Sequence, residues 1–478
     1  MLTLVNTNRM VPAIGPVGLD YVAGSAAQAG IEVELLDLCR AGDPHKAIDE
    51  YFACRSAELI GVSFRNSDDC MWPSGDWFIG ELERTVGRIR ELSDSPIVIG
   101  GVGFSIFPKT ILECTGADFG IRGDGEQAVV ELVHQLRGGG DFTKVPGLLW
   151  RSDDGIIANP PNWPARVCVP SGREFVDNAY YFERGGQCGI ETKRGCNRRC
   201  IYCADPLAKG VTSRLREPAK VADEVESLLA QGIDVLHTCD SEFNIPGEHA
   251  LAVCDELIER GLGGKIRWYT YMTPQPFDAE MASKMARAGC VGINFTGDSA
   301  CADMLRTYRK GHTSEDLASA VKLCRANDMA VMIDLLLGGP GETAETARQT
   351  IDFIKRINPD CAGATLGIRL YPGTGISETI SRRIEAGDES GIHRRYDGPL
   401  DLFKPTFYIS PSLGDDPAGL IAELIGGDKR FFTSAKSDEP EPRDGPAGYN
   451  YNENQPLVEA IRNGARGAYW DILRRLNT

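Results

Sequence analysis

The sequence of 478 residues lacks the features that would place it in a membrane or on a nucleic acid. No apolar run approaches the roughly 20 residues that a helix needs to span a bilayer. No dense block of Lys and Arg offsets the net charge of −17, which argues against a nucleic-acid partner. The first residues, MLTLVNTNRMVPAIG, lack the basic flank and apolar core of a signal peptide. We therefore expect a cytoplasmic protein, which we take to act as a monomer.

A disulfide framework is also absent, although cysteine is frequent. The 15 cysteines are odd in number and spread along the chain, which does not fit paired disulfides. One group alone is tightly spaced: RGCNRRCIYC places Cys196, Cys200 and Cys203 on a loop between a predicted strand and a predicted helix. No second C-x-x-C pair or histidine partner follows, as most zinc sites require. Three cysteines that bind an iron–sulfur cubane would leave its fourth iron open to a substrate.

Three arginines lie among these cysteines. Arg194, Arg198 and Arg199 would offset the negative charge of an iron–sulfur cluster. The alternative is that the three cysteines are structural, like Cys254 and Cys324, which fall on the apolar faces of helical patterns.

Apolar strands alternate with helical patterns over residues 1–140. The hydrophobic fraction of 42% is typical of globular proteins and allows two or three domains. The runs LTLVN, VELLDL, LIGVSF, PIVIGG and DFGIRG predict a doubly wound parallel sheet of the α/β class. In such sheets, ligands bind at the carboxyl ends of the strands. The candidate binding residues at these ends are Ser63, Arg65, Asn66, Gly100, Gly101, Val102, Gly103, Gly123, Asp124, Gly125 and Glu126.

The rest of the chain divides into three further parts. Residues 141–188 hold a hairpin pattern and a Pro-rich connector, which predict a linker. Six βα units over residues 189–376 predict a partial barrel whose site lies at the strand carboxyl ends. Residues 377–478 predict a mixed C-terminal domain that closes the substrate cavity. Within it, residues 437–446 are expected to be a flexible loop and residues 457–476 one amphipathic helix.

The cysteine motif C-x-x-x-C-x-x-C, with an aromatic residue before its last cysteine, resembles the radical S-adenosylmethionine (radical SAM) superfamily. Three stretches at later strand ends, CDSEFN, FTGDS and LLGGPGET, continue the resemblance in the family's order. Taken singly, each is weak, since a lone GGPGE is more often a turn. Together they imply a [4Fe–4S] cluster on the three cysteines and a bound SAM.

Each of these stretches implies a contact with SAM. Glu242 would bind the methionyl amino group, and Thr296 and Asp298 would contact the ribose and carboxylate. The backbone at Leu337 would lie against adenine. Tyr202 and Asp240 complete the SAM-binding residues that the resemblance implies. Its catalytic candidates are Arg65, Tyr202 and Glu242.

The N-terminal sheet resembles the cobalamin-binding domain that precedes the barrel in one branch of this superfamily. The matching pieces are GGVGFS and GADFGIRGDGEQAVVEL. Glycines at strand ends let a corrin and its nucleotide tail approach the backbone, and the helix after GDGE offers free N–H groups. The alternative is a Rossmann-like or flavodoxin-like domain for another nucleotide, although no G-x-G-x-x-G follows the first strand.

One motif of that branch is missing. Many cobalamin domains carry D-x-H-x-x-G, whose histidine binds cobalt from below, but NTNRMVPAIG has no histidine. The one nearby match, His45 in DPHKAI, lacks the glycine. SFRNSDD resembles members in which an arginine lies under the metal without binding it. The resemblance therefore implies base-off methylcobalamin with no histidine ligand and with Arg65 below cobalt. The alternative for Arg65 is a surface salt bridge.

The resemblance implies a carbon methyltransferase that needs an external electron donor of the flavodoxin or ferredoxin type. In the outcome we favour, a 5′-deoxyadenosyl radical takes hydrogen from a natural-product-like small molecule. Methylcobalamin then supplies the methyl group, and a second SAM restores it. Polar methylation of an indole stays open, because RNSDD, PTFYISPSLG and YNYNEN are similar to the tryptophan 2-C-methyltransferases. A rearrangement without methyl transfer stays open as well, as does a non-enzymatic role as a cobalamin sensor.

Aromatic residues and one arginine are the candidates for substrate contact. Arg369 would pair with a substrate carboxylate, or form an ordinary salt bridge. The aromatic candidates would line the cavity or pack in the core. They are Trp268, Tyr269, Tyr271, Tyr449 and Tyr451.

Overall fold

The computed structural model describes residues 1–433 and 450–477. Its strands are β1 Leu2–Asn6, β2 Val33–Asp37, β3 Leu59–Ser63, β4 Ile97–Gly100, β5 Phe119–Ile121, β6 Leu148–Ser152, β7 Gly155–Ala158, β8 Cys188–Ile190, β9 Lys193–Arg194, β10 Arg214–Leu215, β11 Val235–Thr238, β12 Arg267–Met272, β13 Cys290–Asp298, β14 Ala330–Leu337, β15 Cys361–Leu366, β16 Ile368–Arg369, β17 Ile392–Arg394, β18 Thr406–Tyr408 and β19 Phe431–Thr433. Its helices are α1 Val17–Gln28, α2 Pro44–Phe52, α3 Ile79–Leu92, α4 Val102–Ile106, α5 Pro108–Thr115, α6 Glu126–Gly138, α7 Asn178–Gly185, α8 Asp205–Lys209, α9 Pro218–Ala230, α10 Gly247–Glu259, α11 Ala279–Arg287, α12 Ala302–Tyr308, α13 Ser314–Ala326, α14 Ala344–Ile357, α15 Gly375–Glu385, α16 Pro417–Ile425, α17 Gln455–Arg462 and α18 Tyr469–Leu476. None of these helices is both long and apolar enough to cross a membrane.

The first sheet has the strand order β2-β1-β3-β4-β5-β6-β7. Strands β1 to β5 are parallel, which confirms the doubly wound α/β sheet. The strand order reverses at β1 and β3, and a crevice for ligands opens at such a point. The hairpin β6–β7, which we placed in the linker, pairs antiparallel with β5 and lengthens this sheet. Leu148 and Leu149 explain this pairing, because both are buried in the core of the sheet.

The second sheet is an open barrel of seven parallel strands, in the order β19-β15-β14-β13-β12-β11-β8. Six of its strands match the predicted βα units, so the partial barrel is confirmed. The seventh, β19, comes from the C-terminal segment and pairs with β15. Alternate residues of each strand pack outward against the helices or inward toward the barrel axis. On β11, for example, Leu236 packs outward and Val235 inward.

The C-terminal segment fills one end of the barrel. Trp470 and Leu457 pack against Tyr269 and Met332 on the inner face of the sheet. The single helix predicted over residues 457–476 is wrong, because the structure has two helices, α17 and α18. Gly464 and Gly467, in the break between them, adopt positive φ angles of 95° and 144° that the α-helix cannot accommodate. The predicted flexible loop, residues 437–446, lies outside the described residues.

Candidate functional site

The three spaced cysteines lie on one loop between β9 and α8. Backbone hydrogen bonds hold this loop: Cys196 N donates to Gly210 O at 3.2 Å, and Ile201 N donates to Tyr308 O at 3.3 Å. Gly195 begins the loop with φ 81°, where a β-carbon would collide with the carbonyl oxygen of Thr212. The chain therefore requires glycine immediately before the first cysteine.

All three cysteines are free thiols, and Cys196 is buried. In the described ranges, no three potential ligand side chains converge on the position of a single metal ion. A cubane takes each thiolate on a different iron, so its ligands need not converge in this way. Burial raises the pKa of Cys196 and of Cys200, so these thiols stay neutral until a metal lowers their pKa. Three unpaired thiols on one fixed loop fit a three-cysteine cluster.

Arg194, one of the three arginines expected to offset the cluster charge, is engaged elsewhere. Arg194 donates to both carboxylate oxygens of Glu126, at 2.7 and 3.1 Å, and to Glu191 at 2.8 Å. Its charge is therefore already neutralised. Two lysines take its place, because Lys193 lowers the pKa of Cys196 and Lys310 lowers that of Cys200 against the effect of burial.

Tyr202 and Asp298, which the sequence suggested separately, are in direct contact. The Tyr202 hydroxyl donates to Asp298, and Lys310 forms an ion pair with the same carboxylate at 3.2 Å. Asp298 lies at an irregular step of β13 and has φ 58°, which turns its side chain toward the cysteine loop. Lys310 was missed as a site residue, although the stretch RKGHT contained the signal.

Glu242 presents a free carboxylate oxygen at the barrel mouth. Its Oε1 accepts a hydrogen bond from Thr296 Oγ1 at 2.8 Å, while its buried Oε2 has no partner among the described residues. Burial raises the pKa of this carboxyl group. A buried carboxylate that has one oxygen oriented and the other unpaired fits an ammonium group, such as that of SAM.

Asp240 differs from Glu242 because both of its carboxylate oxygens accept hydrogen bonds. Its carboxylate accepts from the backbone N–H groups of Thr192 at 2.9 Å and Lys193 at 3.2 Å, and from the Thr192 hydroxyl at 2.5 Å. Asp240 therefore fixes the segment that leads into the cysteine loop, and its direct contact with SAM stays a prediction.

The predicted adenine turn is braced by an acidic residue. Glu342 accepts backbone hydrogen bonds from Gly338 and from Gly339, the latter at 3.2 Å. Burial raises the pKa of Glu342 to about 7. The side chain of Leu337 packs in the outer core, so only its backbone remains for a flat ligand.

The carboxyl ends of the first sheet carry an arginine without an ion pair. Among the described residues, its side chain forms one hydrogen bond and no ion pair: Arg65 Nη1 donates to the sulfur of Met10 at 3.6 Å, so the surface salt bridge does not form. Gly101 and Gly103 are required by packing against Phe64, where a β-carbon would clash. The unpaired Arg65 fits the place below a corrin, and contact of the glycines with the cofactor stays a prediction.

The GDGE turn also serves the contact between domains. Asp124 pairs with Arg214, and Glu126 with Arg194. The side chains of these two acids are therefore occupied, which leaves the backbone of the turn for a cofactor. His45 lies in the first turn of α2, where its backbone N–H donates to Asp43 at 3.0 Å.

Most substrate candidates have structural roles. Arg369 pairs with Asp68 at 3.0 Å and donates to the backbone oxygens of Leu370 and Leu402 at 2.6 and 3.2 Å. Of the two alternatives for this arginine, the structure therefore has the ordinary salt bridge. Trp268 donates to Ala288 O in the outer core, and Tyr269 donates to Asp471. Tyr271 lies on the inner face of the barrel, where burial and Asp334 raise its pKa and the charge of Arg65 acts against them. Tyr451 also packs on this inner side, and Tyr449 lies outside the described residues.

Comparisons with known proteins agree with this architecture. The B12 binding domain family matches residues 5–133, and the Radical SAM superfamily matches residues 190–354. The tryptophan 2-C-methyltransferase of Streptomyces laurentii is 29% identical over 98% of this chain and 95% of the relative. The radical SAM methyltransferase TsrM from Kitasatospora setae, solved with tryptophan substrate and a SAM analog, is 32% identical, with a TM-score of 0.91 over 99% of this chain and 97% of TsrM.

A more distant structure shares the fold alone. OxsB, a cobalamin-dependent SAM radical enzyme, is 17% identical, with a TM-score of 0.72 over 90% of this chain and 66% of OxsB. The two family matches and the end-to-end similarity to TsrM lead to one conclusion. The chain is an enzyme of the radical SAM superfamily and belongs to the branch that carries a B12-binding domain ahead of the barrel.

Proposed function

We propose that this enzyme is a cobalamin-dependent C-methyltransferase for an indole-bearing small molecule, with tryptophan as the first substrate to test. The observation that carries the proposal is the similarity to TsrM, which spans both chains almost end to end. TsrM was solved with tryptophan as its substrate, and the Streptomyces relative is named for 2-C-methylation of tryptophan. We therefore favour polar transfer of the methyl group to the indole over the radical route, which the motifs alone favoured.

Three groups of residues would hold the cofactors. The cluster would be bound by Cys196, Cys200 and Cys203, and base-off cobalamin would lie over Arg65 without a histidine ligand. Glu242 would hold the amino end of SAM. When bound, the cluster supplies an electron, received from a flavodoxin- or ferredoxin-type donor, and cobalamin supplies the methyl group; the side chains of this protein can provide neither.

The protein's own side chains position these groups. Thr296 fixes one oxygen of Glu242, and the other oxygen has no partner among the described residues and would accept from an ammonium group. Lys310 and Asp298 hold the hydroxyl of Tyr202 one residue before the last cysteine. Arg65 offers no lone pair to cobalt, because guanidinium is always protonated and donates only. Cobalamin held over Arg65 would supply the methyl group without receiving a ligand from this side chain.

Radical methylation is the second candidate, favoured by one observation. The free oxygen of Glu242 lies at the barrel mouth with the cysteine loop, where a SAM molecule would be placed for reductive cleavage. A purely polar enzyme would need no such cleavage. The two routes differ in the nucleosides that they release.

The test is a count of nucleosides against methylated product. Purified enzyme loaded with cluster and cobalamin would be incubated with SAM, reductant and tryptophan, and the products quantified by mass spectrometry. The polar route predicts S-adenosylhomocysteine equal to methyltryptophan, without 5′-deoxyadenosine. The radical route predicts one of each nucleoside per product. 5′-Deoxyadenosine without any methylated product would contradict a methyltransferase.

A further inference from the structure

A row of polar side chains crosses the inner wall of the barrel. It consists of His237, Tyr271, Asn294 and Asp334, one from each of the adjacent strands β11 to β14. Their sequence neighbours Leu236, Ile293 and Ile333 pack in the outer core against the helices. Because successive side chains of a strand point to opposite faces, the four polar side chains point inward. This polar row lies between the barrel end filled by Trp470 and the barrel mouth with Glu242.

His237 is a neutral hydrogen-bond acceptor. Its Nδ1 lies 2.8 Å from Thr238 O, and a carbonyl oxygen can only accept, so Nδ1 carries the proton. Burial lowers the pKa of His237 to about 4, so the ring is uncharged at neutral pH. Its Nε2 therefore bears a lone pair, and this atom has no hydrogen-bond partner among the described residues. The ring contacts Tyr271 at a centroid distance of 5.1 Å.

Asn294 offers a second acceptor. Its Nδ2 donates to Asp334 Oδ2 at 2.9 Å, and this contact fixes the orientation of the amide because a carboxylate accepts. Its Oδ1 is buried and has no partner in the described part of the chain. Leaving a buried acceptor without a partner is unfavourable, so a ligand that brings a donor recovers this cost. With Asp334 adjacent, this acceptor suits a positively charged donor.

We propose that the polar row is the substrate-recognition site: His237 Nε2 accepts the ring N–H of an indole-type substrate, and Asn294 Oδ1 with Asp334 accepts its ammonium group. The inference rests on the proposed function and names the residues that would determine its substrate specificity. Tyr271 lies within electrostatic range of Arg65 in the cobalamin domain, whose charge lowers its pKa against the effect of burial. The site should prefer substrates that carry the ring N–H, because a site that hydrogen-bonds a donor rejects an analogue that lacks this donor.

The test compares two ligands that differ only in the heteroatom of the five-membered ring. L-tryptophan carries N–H, whereas 3-(1-benzothien-3-yl)-L-alanine carries a sulfur atom there, which is only slightly larger and is not a donor. Isothermal titration of each into enzyme loaded with cluster and cobalamin, without SAM, measures binding apart from turnover. We expect the native enzyme to bind tryptophan about tenfold more tightly. His237→Phe keeps an aromatic ring but removes the acceptor, so the two dissociation constants should become equal.

Two further variants keep the test independent of folding. His237→Gln retains an acceptor oxygen and should restore part of the discrimination. Asn294→Ala should weaken both ligands by a similar factor and leave their ratio unchanged, because both carry the ammonium group. The absorbance of the bound cluster checks that each variant is folded. Discrimination that persists in His237→Phe, or that is absent from the native enzyme, would overturn the proposal.

The outcomes also separate this inference from the proposed function. If tryptophan is methylated but the native enzyme does not discriminate between the two ligands, the recognition site is wrong and the function stands. If discrimination is present but no methylated product forms, the function is wrong and the recognition site stands. Failure of the native enzyme to bind tryptophan at all would overturn the recognition site.

Discussion

Two groups of buried or partly buried ion pairs join the cobalamin domain to the barrel, and the two groups have different roles. The first, here called the inner seam, consists of Asp20, Tyr21, Arg173, Arg216 and Glu224. The second, here called the loop seam, consists of Asp124, Glu126, Glu191, Arg194 and Arg214. Their ion pairs are equally short, at 2.7 Å for Arg173–Asp20 and 2.7 Å for Arg194–Glu126.

The difference lies in what each seam adjoins. The inner seam connects α1 to α9, and Arg173 and Arg216 both lie 5.5 Å from the ring centroid of Tyr21. It contains no predicted cofactor residue. The loop seam instead joins the GDGE turn to Arg194, two residues before the first cysteine of the cluster loop. The same ion-pair chemistry thus fixes two domains in one place and positions a cofactor loop in the other.

The largest effect is expected at the cysteine loop beside the loop seam. Replacing Cys196, Cys200 or Cys203 singly by Ala should abolish the cluster absorbance, because a cubane needs all three thiolates. Stability of the cluster-free protein should change little, since these thiols form no side-chain hydrogen bond among the described residues. Cys239→Ala is the matched control and should keep the cluster. If Cys239 or Cys188 proved equally necessary, the three-cysteine site would be wrong.

The inner seam should show the opposite response. Arg173→Ala leaves the buried carboxylate Asp20 without its ion-pair partner and leaves Glu224 with Arg216 alone. Breaking a buried pair in this way costs about 3–5 kcal/mol. Urea unfolding of the cluster-free protein measures this loss. Arg306→Ala, which removes an exposed pair with Asp303, is the control and should change stability by less than about 1 kcal/mol. Equal losses in the two variants would show that the inner seam does not hold the domains together.

These contrasts also show what could be predicted from sequence. Strands β1, β3 and β4 were predictable because nearly all of their residues are buried and each reads as a continuous apolar run. The short strand β19 was not, since its three residues stand alone within a mixed segment. The pairing of Glu126 with Arg194 was not predictable either, because the partners are 68 residues apart and each resembled a cofactor residue. The acceptors His237 and Asn294 were overlooked for a related reason: their environment comes from four different strands.

A smaller and more specific effect is expected from the loop seam. Glu126→Gln removes the bidentate partner of Arg194 but leaves Glu191, so the stability loss should be about 1–3 kcal/mol. The paramagnetic resonance spectrum of the reduced cluster should change as well, since Arg194 fixes the start of the cluster loop. Glu58→Gln is the matched control, because Glu58 binds Arg137 in the same bidentate way at an exposed position. Identical cluster spectra for the two variants would contradict a positioning role.

The smallest effect is expected at Arg65, which differs from the arginines of both seams because it has no ion pair in the described ranges. His45→Ala should leave the spectrum of bound cobalamin unchanged, because His45 lies in the first turn of α2, whereas Arg65 follows β3. Arg65→Leu should shift that spectrum without a measurable loss of stability, since Arg65 has no ion pair in the described ranges to lose. Paramagnetic resonance of the cob(II) form provides the decisive measurement, because a nitrogen ligand from histidine splits its signal. Such splitting in the native enzyme, lost in His45→Ala, would overturn the placement of Arg65 below cobalt. The opposite result is no such splitting in the native enzyme or in either variant, with a shifted optical spectrum only in Arg65→Leu. It would mean that Arg65 acts on the metal by its charge and position. The ion-paired Arg173 and Arg194 cannot take this role.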